Sequence, residues 1–412
     1  MKNEPRGNLI LKCLAPIVAF ALLAPSTSAS QIEVLYTFKS VPDGHEPFAR
    51  PILMGGKLYG TTRAGGIYDQ GIVYQLQRTR SGWTKSTVYT FTGGDDGGKP
   101  WAELVHDKAG NLYGTAPSGG ASGDGVVFEL SPNSGGSWTE TVLHTFTGSD
   151  GAGPLGGLIW DGSGNLYGTT SDGGAHSCDQ YSQCGTVFKL SHSNSGWILT
   201  TLHSFDGSDG WGPASTLLMD ANGNLFGTTR AGGHFKGSAS GGVLYELSPS
   251  KDGWSFRVLC KFTLPSDPGT GRIAMCDKRL YGTNAEGGAY GSGFVYRVTP
   301  SAKGRKEHTI YSFTQYVDGD TPFSGVVCDT KGNLYGTTLL GGAYDEGTVF
   351  KLTLERGKWI ETVLGSFTGL NGYQPAGGLT WDEKGHLYGT ADGGAHGDCS
   401  GAGCGVVFEI TP

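Results

Sequence analysis

Two arginines are the residues of this sequence whose type and position most directly indicate binding chemistry. The chain contains seven near-copies of one motif, and Arg50 and Arg272 hold the same position in two of the copies. The other five copies carry small residues at this position: Ala102, Gly156, Ser215, Ser324 and Gly377. Two guanidinium groups among small residues can hold a carboxylate or a sulfate through paired hydrogen bonds. The alternative is a pair of solvated arginines that form ion pairs with loop aspartates.

Other unusual side chains are expected on the same face of the molecule. Arg63 and Arg230 each follow a Thr-Thr pair at the end of a predicted strand and add positive charge. Trp101 and Trp211 lie in predicted loops of that face, where an exposed indole can stack on a sugar ring. The alternative for both tryptophans is that they cover the hydrophobic core.

Groups suited to proton transfer occur in the glycine-rich loops of several copies. They are His176, His396, His234, Tyr68, Tyr344 and Tyr290. Each of them can equally be an ordinary surface side chain. The sequence contains no nucleophile elbow, phosphate-binding loop, HExxH motif or dinucleotide fingerprint, so whether the protein is an enzyme stays open.

The cysteines predict disulfides. Cys178 and Cys184 share one glycine-rich loop, and Cys399 and Cys404 share the corresponding loop of the last copy, each pair after Gly-Gly-Ala-His. Two such pairs in an exported protein indicate two local disulfides, with a metal site as the alternative. The remaining cysteines stay open. Cys276 and Cys328 are predicted to be buried thiols on adjacent strands, and Cys260 is either a third thiol or a partner of one of them.

Two recurring aspartate series have simple structural interpretations. One series ends the first strand of six copies and opens a tight turn, a position typical of hairpin aspartates: Asp107, Asp161, Asp220, Asp277, Asp329 and Asp382. The other lies in the loops between copies: Asp95, Asp96, Asp150, Asp209, Asp267 and Asp318. Calcium is an alternative for the second series, although no twelve-residue ligand loop is present. We therefore expect no metal and no cofactor.

The elements that must position these residues follow from the repeat. Copies of Gly-Asn-Leu-Tyr-Gly-Thr-Thr centre on Tyr59, Tyr113, Tyr167, Phe226, Tyr281, Tyr335 and Tyr388. Each copy contains four short runs of alternating apolar and polar residues between turn residues, which predicts four strands. The sequence thus predicts an all-β, seven-bladed β-propeller with four antiparallel strands per blade. An outer strand at residues 32–38 should pair with the strand at 406–410 and close the last blade.

The N-terminus predicts export. Lys2, Arg6 and Lys12 precede the apolar run 14–24, so residues 1–29 read as a signal peptide and residues 30–412 as one propeller domain. The run is too short to span a bilayer, and no second one follows. The net charge of -7 argues against nucleic acid as a partner. We expect a secreted or periplasmic monomer that does not insert into a membrane.

The repeat also resembles a known family. The order GNLYGTT, GG, GTVF, a strand that begins with Trp, and FTG-x-DG is similar to the glycine-rich tandem repeat called GloVer, which occurs in exported bacterial proteins. The resemblance covers residues 32–410 and implies an exported repeat protein. The family carries no agreed activity or catalytic motif, so the resemblance implies no functional residue.

These observations favour a binding module that is not catalytic and recognises carbohydrate or a cell-surface polymer at one mouth of the channel. The alternative is a polysaccharide lyase for glycans that contain uronate. In that alternative Arg50 and Arg272 would neutralise the carboxylate, and His176, His396, Tyr68 or Tyr344 would abstract the neighbouring proton.

Overall fold

Four-stranded antiparallel sheets form the molecule. The computed structural model describes residues 31–178, 184–233, 241–262, 271–299, 307–394, 399 and 403–412. Within these ranges all regular elements are strands, and they form seven sheets of four strands arranged as a ring of blades. The predicted all-β, seven-bladed propeller is confirmed. The predicted signal peptide, residues 1–29, lies outside the described residues.

The blades follow one another along the chain. Blade 1 contains β2 (Ile52–Met54), β3 (Lys57–Thr62), β4 (Ile72–Thr79) and β5 (Gly82–Thr90). Blade 2 contains β6 (Val105–His106), β7 (Leu112–Ala116), β8 (Val126–Pro132) and β9 (Trp138–Thr145). Blade 3 contains β10 (Ile159–Trp160), β11 (Leu166–Thr170), β12 (Thr186–Ser193) and β13 (Gly196–Ser204). Blade 4 contains β14 (Leu218–Met219), β15 (Leu225–Thr228), β16 (Val243–Ser250) and β17 (Gly253–Lys261).

The remaining three blades repeat this order. Blade 5 contains β18 (Ala274–Cys276), β19 (Arg279–Asn284), β20 (Phe294–Val298) and β21 (Glu307–Ser312). Blade 6 contains β22 (Val326–Cys328), β23 (Leu334–Thr338), β24 (Thr348–Glu355) and β25 (Lys358–Ser366). Blade 7 contains β26 (Thr380–Trp381), β27 (Leu387–Ala391), β28 (Val406–Ile410) and β1 (Glu33–Thr37).

Both ends of the chain build blade 7. Strand β1 pairs antiparallel with β28, with Val34 opposite Phe408, and the backbone N–H of Phe38 donates to the carbonyl of Gly405 at 3.0 Å. The predicted closure of the last blade is confirmed. Pairing covers the open edge that β28 would otherwise present to other chains.

Aspartates shape the hairpin between the first and second strands of most blades. The Asp107 carboxylate accepts the backbone N–H of Asn111 at 2.9 Å and the Tyr113 hydroxyl at 3.1 Å. The same arrangement recurs at Asp161 and Asp329. The hairpin interpretation of this aspartate series is confirmed.

Aromatic rings fill the contacts between neighbouring blades. Phe91 and Phe128 are fully buried and meet edge to face, with their centroids 5.1 Å apart. The glycine of the Leu-Tyr-Gly motif makes room for such a ring, since a Cβ at Gly60 would lie 2.4 Å from the Tyr74 hydroxyl oxygen. The recurring glycine and the recurring ring therefore belong to one packing unit.

Threonines of the second strands tie neighbouring blades together beside the channel. The Thr61 hydroxyl donates to the Ala102 carbonyl of the next blade at 3.2 Å, and the Thr390 hydroxyl donates to the Ala49 carbonyl at 3.0 Å. These bonds fix the start of the inner strands that follow Ala102 and Ala49. They thereby set the level of Arg50 relative to the neighbouring blades.

The structure contains three disulfides among its described residues. Cys178–Cys184 and Cys399–Cys404 confirm the two predicted pairs. The prediction of buried thiols at Cys276 and Cys328 was wrong. These residues form a disulfide between the inner strands of blades 5 and 6, where their Cα atoms lie 6.4 Å apart. Cys260 is the free cysteine of the described residues and is half-buried.

The described residues contain no helix long and apolar enough to cross a membrane.

Candidate functional site

The mouth of the channel is formed where the inner strands begin. One residue from each of six blades forms a mainly apolar rim, and its large members are Trp101, Leu155 and Phe323. The next residues along the inner strands form the floor, which includes Arg50 and Arg272. Rim and floor enclose a cavity of about 50 Å³. The mouth therefore offers an apolar wall above charged groups.

The two arginines converge on a single carboxylate. Arg272 Nη1 lies 3.2 Å from Glu103 Oε1, and Arg50 Nε lies 3.6 Å from the same oxygen. Arg50 Nη1 also donates to the carbonyl of Leu379 at 3.4 Å. The alternative interpretation, that the arginines form ion pairs, is correct in part, because both arginines pair with an acidic side chain. Their partner is a glutamate of the floor and not a loop aspartate.

Burial and charge together set the ionisation of this cluster. Burial lowers the pKa of Arg50 to about 10, helped by the charge of Arg272 and opposed by Glu103, so Arg50 is charged at neutral pH. Burial alone would raise the pKa of Glu103, but the charges of Arg50 and Arg272, together with hydrogen bonds from the Glu103 backbone and Thr216, outweigh it, so this pKa lies below its usual value. Two positive charges therefore face one negative charge on the floor.

Glu103 escaped the sequence analysis, although a signal for it exists. It stands one residue beyond the arginine level. Its equivalents in the other copies are uncharged: Pro51, Gly157, Thr216, Ile273, Gly325 and Gly378. Comparing the copies at this second level would have identified the third member of the cluster.

Trp101 belongs to the mouth, and Trp211 does not line it. Trp101 is half-buried, stacks on Phe48 with centroids 4.3 Å apart, and carries the Arg63 guanidinium 5.1 Å from its ring. Arg63 in turn forms an ion pair with Glu46 at 3.0 Å. Trp211 is half-buried against the core between blades 3 and 4, which matches the core-covering alternative.

The other predicted site residues are not gathered at the cavity. Arg230 is exposed and does not belong to the described lining. Among the described proton-transfer candidates, Tyr68, Tyr344, Tyr290 and His176 are exposed and line no part of the cavity. His396 and His234 lie outside the described residues.

The loop aspartates of the second series organise turns. Asp96 accepts the Tyr89 hydroxyl at 3.0 Å and the backbone N–H of Thr92 at 2.8 Å. Asp318 makes the equivalent bond to Tyr311 at 2.8 Å. No group of three or more His, Cys, Asp or Glu residues is placed to hold a metal ion in the part of the chain that the structure describes.

Solved structures share the propeller fold at low sequence identity. A crystal structure of a candidate 6-phosphogluconolactonase from Bacteroides uniformis has a TM-score of 0.50 and 14% identity, over 81% of this chain and 88% of that chain. A hypothetical selenium-binding protein from Sulfolobus tokodaii has a TM-score of 0.50 and 11% identity, over 77% of this chain and 78% of that chain. The PQQ-bound aldose sugar dehydrogenase from Streptomyces coelicolor has a TM-score of 0.42 and 15% identity, over 93% of this chain and 98% of that chain. Such likeness shows the fold alone.

No curated protein matches this chain. The family model of the Gloeobacter/Verrucomicrobia repeat matches residues 22–239 and 234–412. These two ranges contain all seven copies of the repeat, so the predicted resemblance is confirmed, and the chain belongs to the Gloeobacter/Verrucomicrobia repeat family.

Proposed function

We propose that this protein binds an acidic polysaccharide, or another carboxylated cell-surface polymer, at the mouth of its channel and does not catalyse a reaction on it. The convergence of Arg50 and Arg272 on Glu103 carries the proposal. One positive charge of this cluster has no counter-charge within it. A carboxylate on the ligand would supply that counter-charge.

Arg272 is the arginine best placed to receive a ligand. Its side chain is 34% exposed, against 21% for Arg50. A guanidinium carries five N–H donors, and the bond to Glu103 uses one of them. A ligand carboxylate that enters from the mouth can accept two of the others.

The size of the cavity defines which part of the ligand enters. A volume of about 50 Å³ admits a carboxylate but not a whole sugar ring. The ring would therefore remain at the rim, where Trp101 and Phe323 offer apolar surface to its C–H face. A uronate residue combines these two features.

The setting of this function is extracytoplasmic. Three disulfides are typical of proteins that fold in an oxidising compartment. Together with the predicted signal peptide, they support a secreted or periplasmic protein. We propose that it acts as a monomer and, with a net charge of -7, does not bind nucleic acid.

The lyase alternative lacks a specific observation in its favour. A lyase needs a base next to the carbon that bears the carboxylate. Tyr68, Tyr344 and His176, the described candidates, are exposed and lie outside the cavity lining.

Gel retardation tests the proposal. The mature protein is run in native gels that contain polygalacturonate, alginate or neutral dextran, and absorbance of unsaturated uronate is followed in parallel. We expect retardation in at least one acidic gel, no retardation in dextran and no growth in absorbance. Growth in absorbance would replace binding with lyase activity, and equal migration in all gels would refute the proposal.

A matched pair of variants locates the binding. Arg272→Ala removes one positive charge at the mouth, and Arg279→Ala removes one from the exposed start of β19, at the other end of the same blade. Arg272→Ala should weaken affinity for the acidic glycan by about tenfold or more, because a hydrogen bond to a charged group contributes roughly 1.5–3 kcal/mol. Arg279→Ala should leave it unchanged. Equal effects of the two variants would show nonspecific charge attraction.

A further inference from the structure

A second cleft lies on the face opposite the mouth, between blades 2 and 3. It is an open groove of about 530 Å³, within the range of roughly 300–1,000 Å³ typical of small-molecule sites. Its lining includes Trp160, Trp197 and His192 from blade 3 and His106 and Lys108 from blade 2. The cleft is separate from the mouth, because it lies beside the hairpins where the inner strands end.

Aromatic rings form the wall of this cleft. Trp160 meets Tyr113 of blade 2 edge to face at 4.9 Å and lies 6.3 Å from Trp197. The exposed His192 packs edge to face on Trp197 at 5.4 Å. Both tryptophans are half-buried, so part of each indole remains accessible from the cleft.

The combination of these three rings departs from the repeat, although the tryptophan that opens the outer strand recurs in most copies. The equivalents of Trp160 in the other copies are Met54, His106, Met219, Cys276, Cys328 and Trp381. Blade 7, which carries Trp381, takes its outer strand from β1, and β1 contains no tryptophan. The equivalents of His192 include Arg78, Pro132, Pro249 and Leu354. Trp160, Trp197 and His192 thus occur together in blade 3 alone.

Packing between blades explains a tryptophan at the position of Trp160. Trp381 packs on Tyr335 at 4.9 Å, as Trp160 does on Tyr113, so a tryptophan at this position stabilises the contact between blades in both places. The blade 4/5 cleft has the same location but a polar and charged lining that includes Asp277, Lys278 and Arg279. The position in the fold creates a cleft, and the side chains of blade 3 make this one aromatic.

The polar groups of the cleft favour a ligand without charge. Asp161 lines the cleft, but its oxygens already accept four hydrogen bonds, from the backbone N–H groups of Ser163 and Asn165, the Asn165 amide and the Tyr167 hydroxyl. Asp107, which also lines it, accepts three equivalent bonds. These two negative charges oppose an anion. His106, His192 and Lys108 also line the cleft and can bond to hydroxyl groups, although Nδ1 of His106 already contacts the Asp107 carbonyl at 3.0 Å.

We propose that this cleft binds one pyranose unit of a neutral glycan. The apolar C–H face of the sugar packs on the indole rings of Trp160 and Trp197, and its hydroxyl groups bond to His106, His192 and Lys108. This site is independent of the mouth. It differs from the mouth in ligand class, since the mouth recognises a carboxylate.

Isothermal titration calorimetry tests the site with cellohexaose, xylohexaose and chitohexaose as the neutral ligands. Trp160→Met installs the residue that blade 4 carries as Met219, and Trp381→Met is the matched control in blade 7. Both variants lose a ring that packs on a tyrosine of the preceding blade, so their losses of thermal stability should be similar. Trp160→Met should weaken binding of a neutral hexaose by about fivefold or more, and Trp381→Met should leave it within about twofold.

Several outcomes would overturn the proposal. They are absence of binding to all three neutral hexaoses and equal effects of Trp160→Met and Trp381→Met. Arg272→Ala separates the two sites, because it should leave neutral-hexaose affinity unchanged. Loss of that affinity in Arg272→Ala would place the neutral sugar at the mouth and refute the second site.

Discussion

Glu103 supplies one of the two negative charges that Arg50 and Arg272 can accommodate, and the proposed ligand carboxylate would supply the other. Only 12% of its side chain is exposed, and its negative charge offsets the repulsion between the two neighbouring guanidinium groups. A buried charge that loses its partner destabilises a protein strongly. The same glutamate therefore stabilises the unliganded protein, and its charge would repel the carboxylate of the proposed ligand.

Glu103→Gln should separate these two roles. Without the carboxylate, the free energy of unfolding of the unliganded protein should fall by about 3 kcal/mol or more, because Arg50 stays buried without a counter-charge. An oligogalacturonate should then raise the melting temperature of Glu103→Gln more than that of the wild type, since the ligand supplies the missing carboxylate. Differential scanning calorimetry with and without the ligand measures both effects.

Glu355→Gln is the control, because Glu355 is exposed near a turn of blade 6. It should reproduce the wild-type response. Equal ligand-induced shifts in Glu103→Gln and the wild type would mean that the ligand carboxylate does not approach the arginines.

Part of this site could be predicted from the repeat. Comparison of the copies placed Arg50 and Arg272 at one level, and the structure shows them joined through Glu103. The sequence could not show that both arginines contact Glu103, because the distance across the channel depends on how the blades close into a ring. It also could not distinguish Trp101 at the mouth from Trp211 against the core, since both lie in equivalent loops.

At the level of the strands, one position of the outer strand determines whether its side chain attracts or repels an aspartate of the preceding blade. Lys85, Glu140 and Glu361 hold this position in blades 1, 2 and 6. Lys85 forms an ion pair with Asp43 of the preceding outer-strand loop at 2.6 Å. Glu140 and Glu361 instead face like charges, Asp96 and Asp318. Burial and the negative charge of Asp96 raise the pKa of Glu140 to about 7. Burial and the negative charge of Asp318 raise the pKa of Glu361 to about 8.

This position predicts a pH-dependent stability. A folded-state pKa above the unfolded value means that Glu361 contributes most stability below its unfolded pKa of about 4.3 and loses this contribution as pH rises through about 8. Glu361→Gln should therefore raise the melting temperature at pH 8.5 and change it little at pH 4.5. Glu361→Lys should raise it further at pH 8.5 by forming a pair with Asp318 like that of Lys85 with Asp43.

Thermal unfolding of the wild type, both variants and Glu355→Gln at the two pH values measures this effect. Glu355→Gln should show no comparable gain at pH 8.5. A gain for Glu361→Gln that is the same at both pH values would contradict the assigned ionisation.

The three disulfides should differ in their contribution to stability. Cys276 and Cys328 are 52 residues apart in sequence, and Cys178 and Cys184 are 6 apart. The entropy of loop closure predicts that the free energy of unfolding falls by about 4 kcal/mol when Cys276 and Cys328 are both replaced by serine. It predicts a fall of about 2 kcal/mol when Cys178 and Cys184 are both replaced by serine. Urea unfolding of the two double variants tests this order. The reverse order would show that the bond between blades 5 and 6 adds little to a ring that other contacts already hold.

For the whole molecule, closure by β1 is the main structural requirement. Ile32 is buried in the core cluster between blades 6 and 7, and Leu35 and Phe38 are buried in the cluster between blades 7 and 1. Deletion up to residue 38 should therefore open both contacts and expose β28 as a free edge. We expect aggregation in size-exclusion chromatography with light scattering, whereas deletion up to residue 30 should leave a monomer. A monodisperse and equally stable shorter protein would show that β1 is dispensable.

Most of the fold could be predicted from the period, because each copy carries the same four runs and the same hairpin aspartates. The pairing of β1 with β28 followed from the incomplete first and last copies. The Cys276–Cys328 bond could not be predicted, because equal positions on adjacent inner strands do not determine the distance between them. That distance is set by the packing of whole blades around the channel.

A crystal structure of the protein with a bound oligogalacturonate would locate the binding site. We expect a uronate carboxylate about 2.7–2.9 Å from the Arg272 guanidinium, with the sugar ring against Trp101. Oligogalacturonate bound on any other surface, with the Arg50–Glu103–Arg272 cluster unchanged and no carboxylate beside it, would show that the mouth is not the binding site.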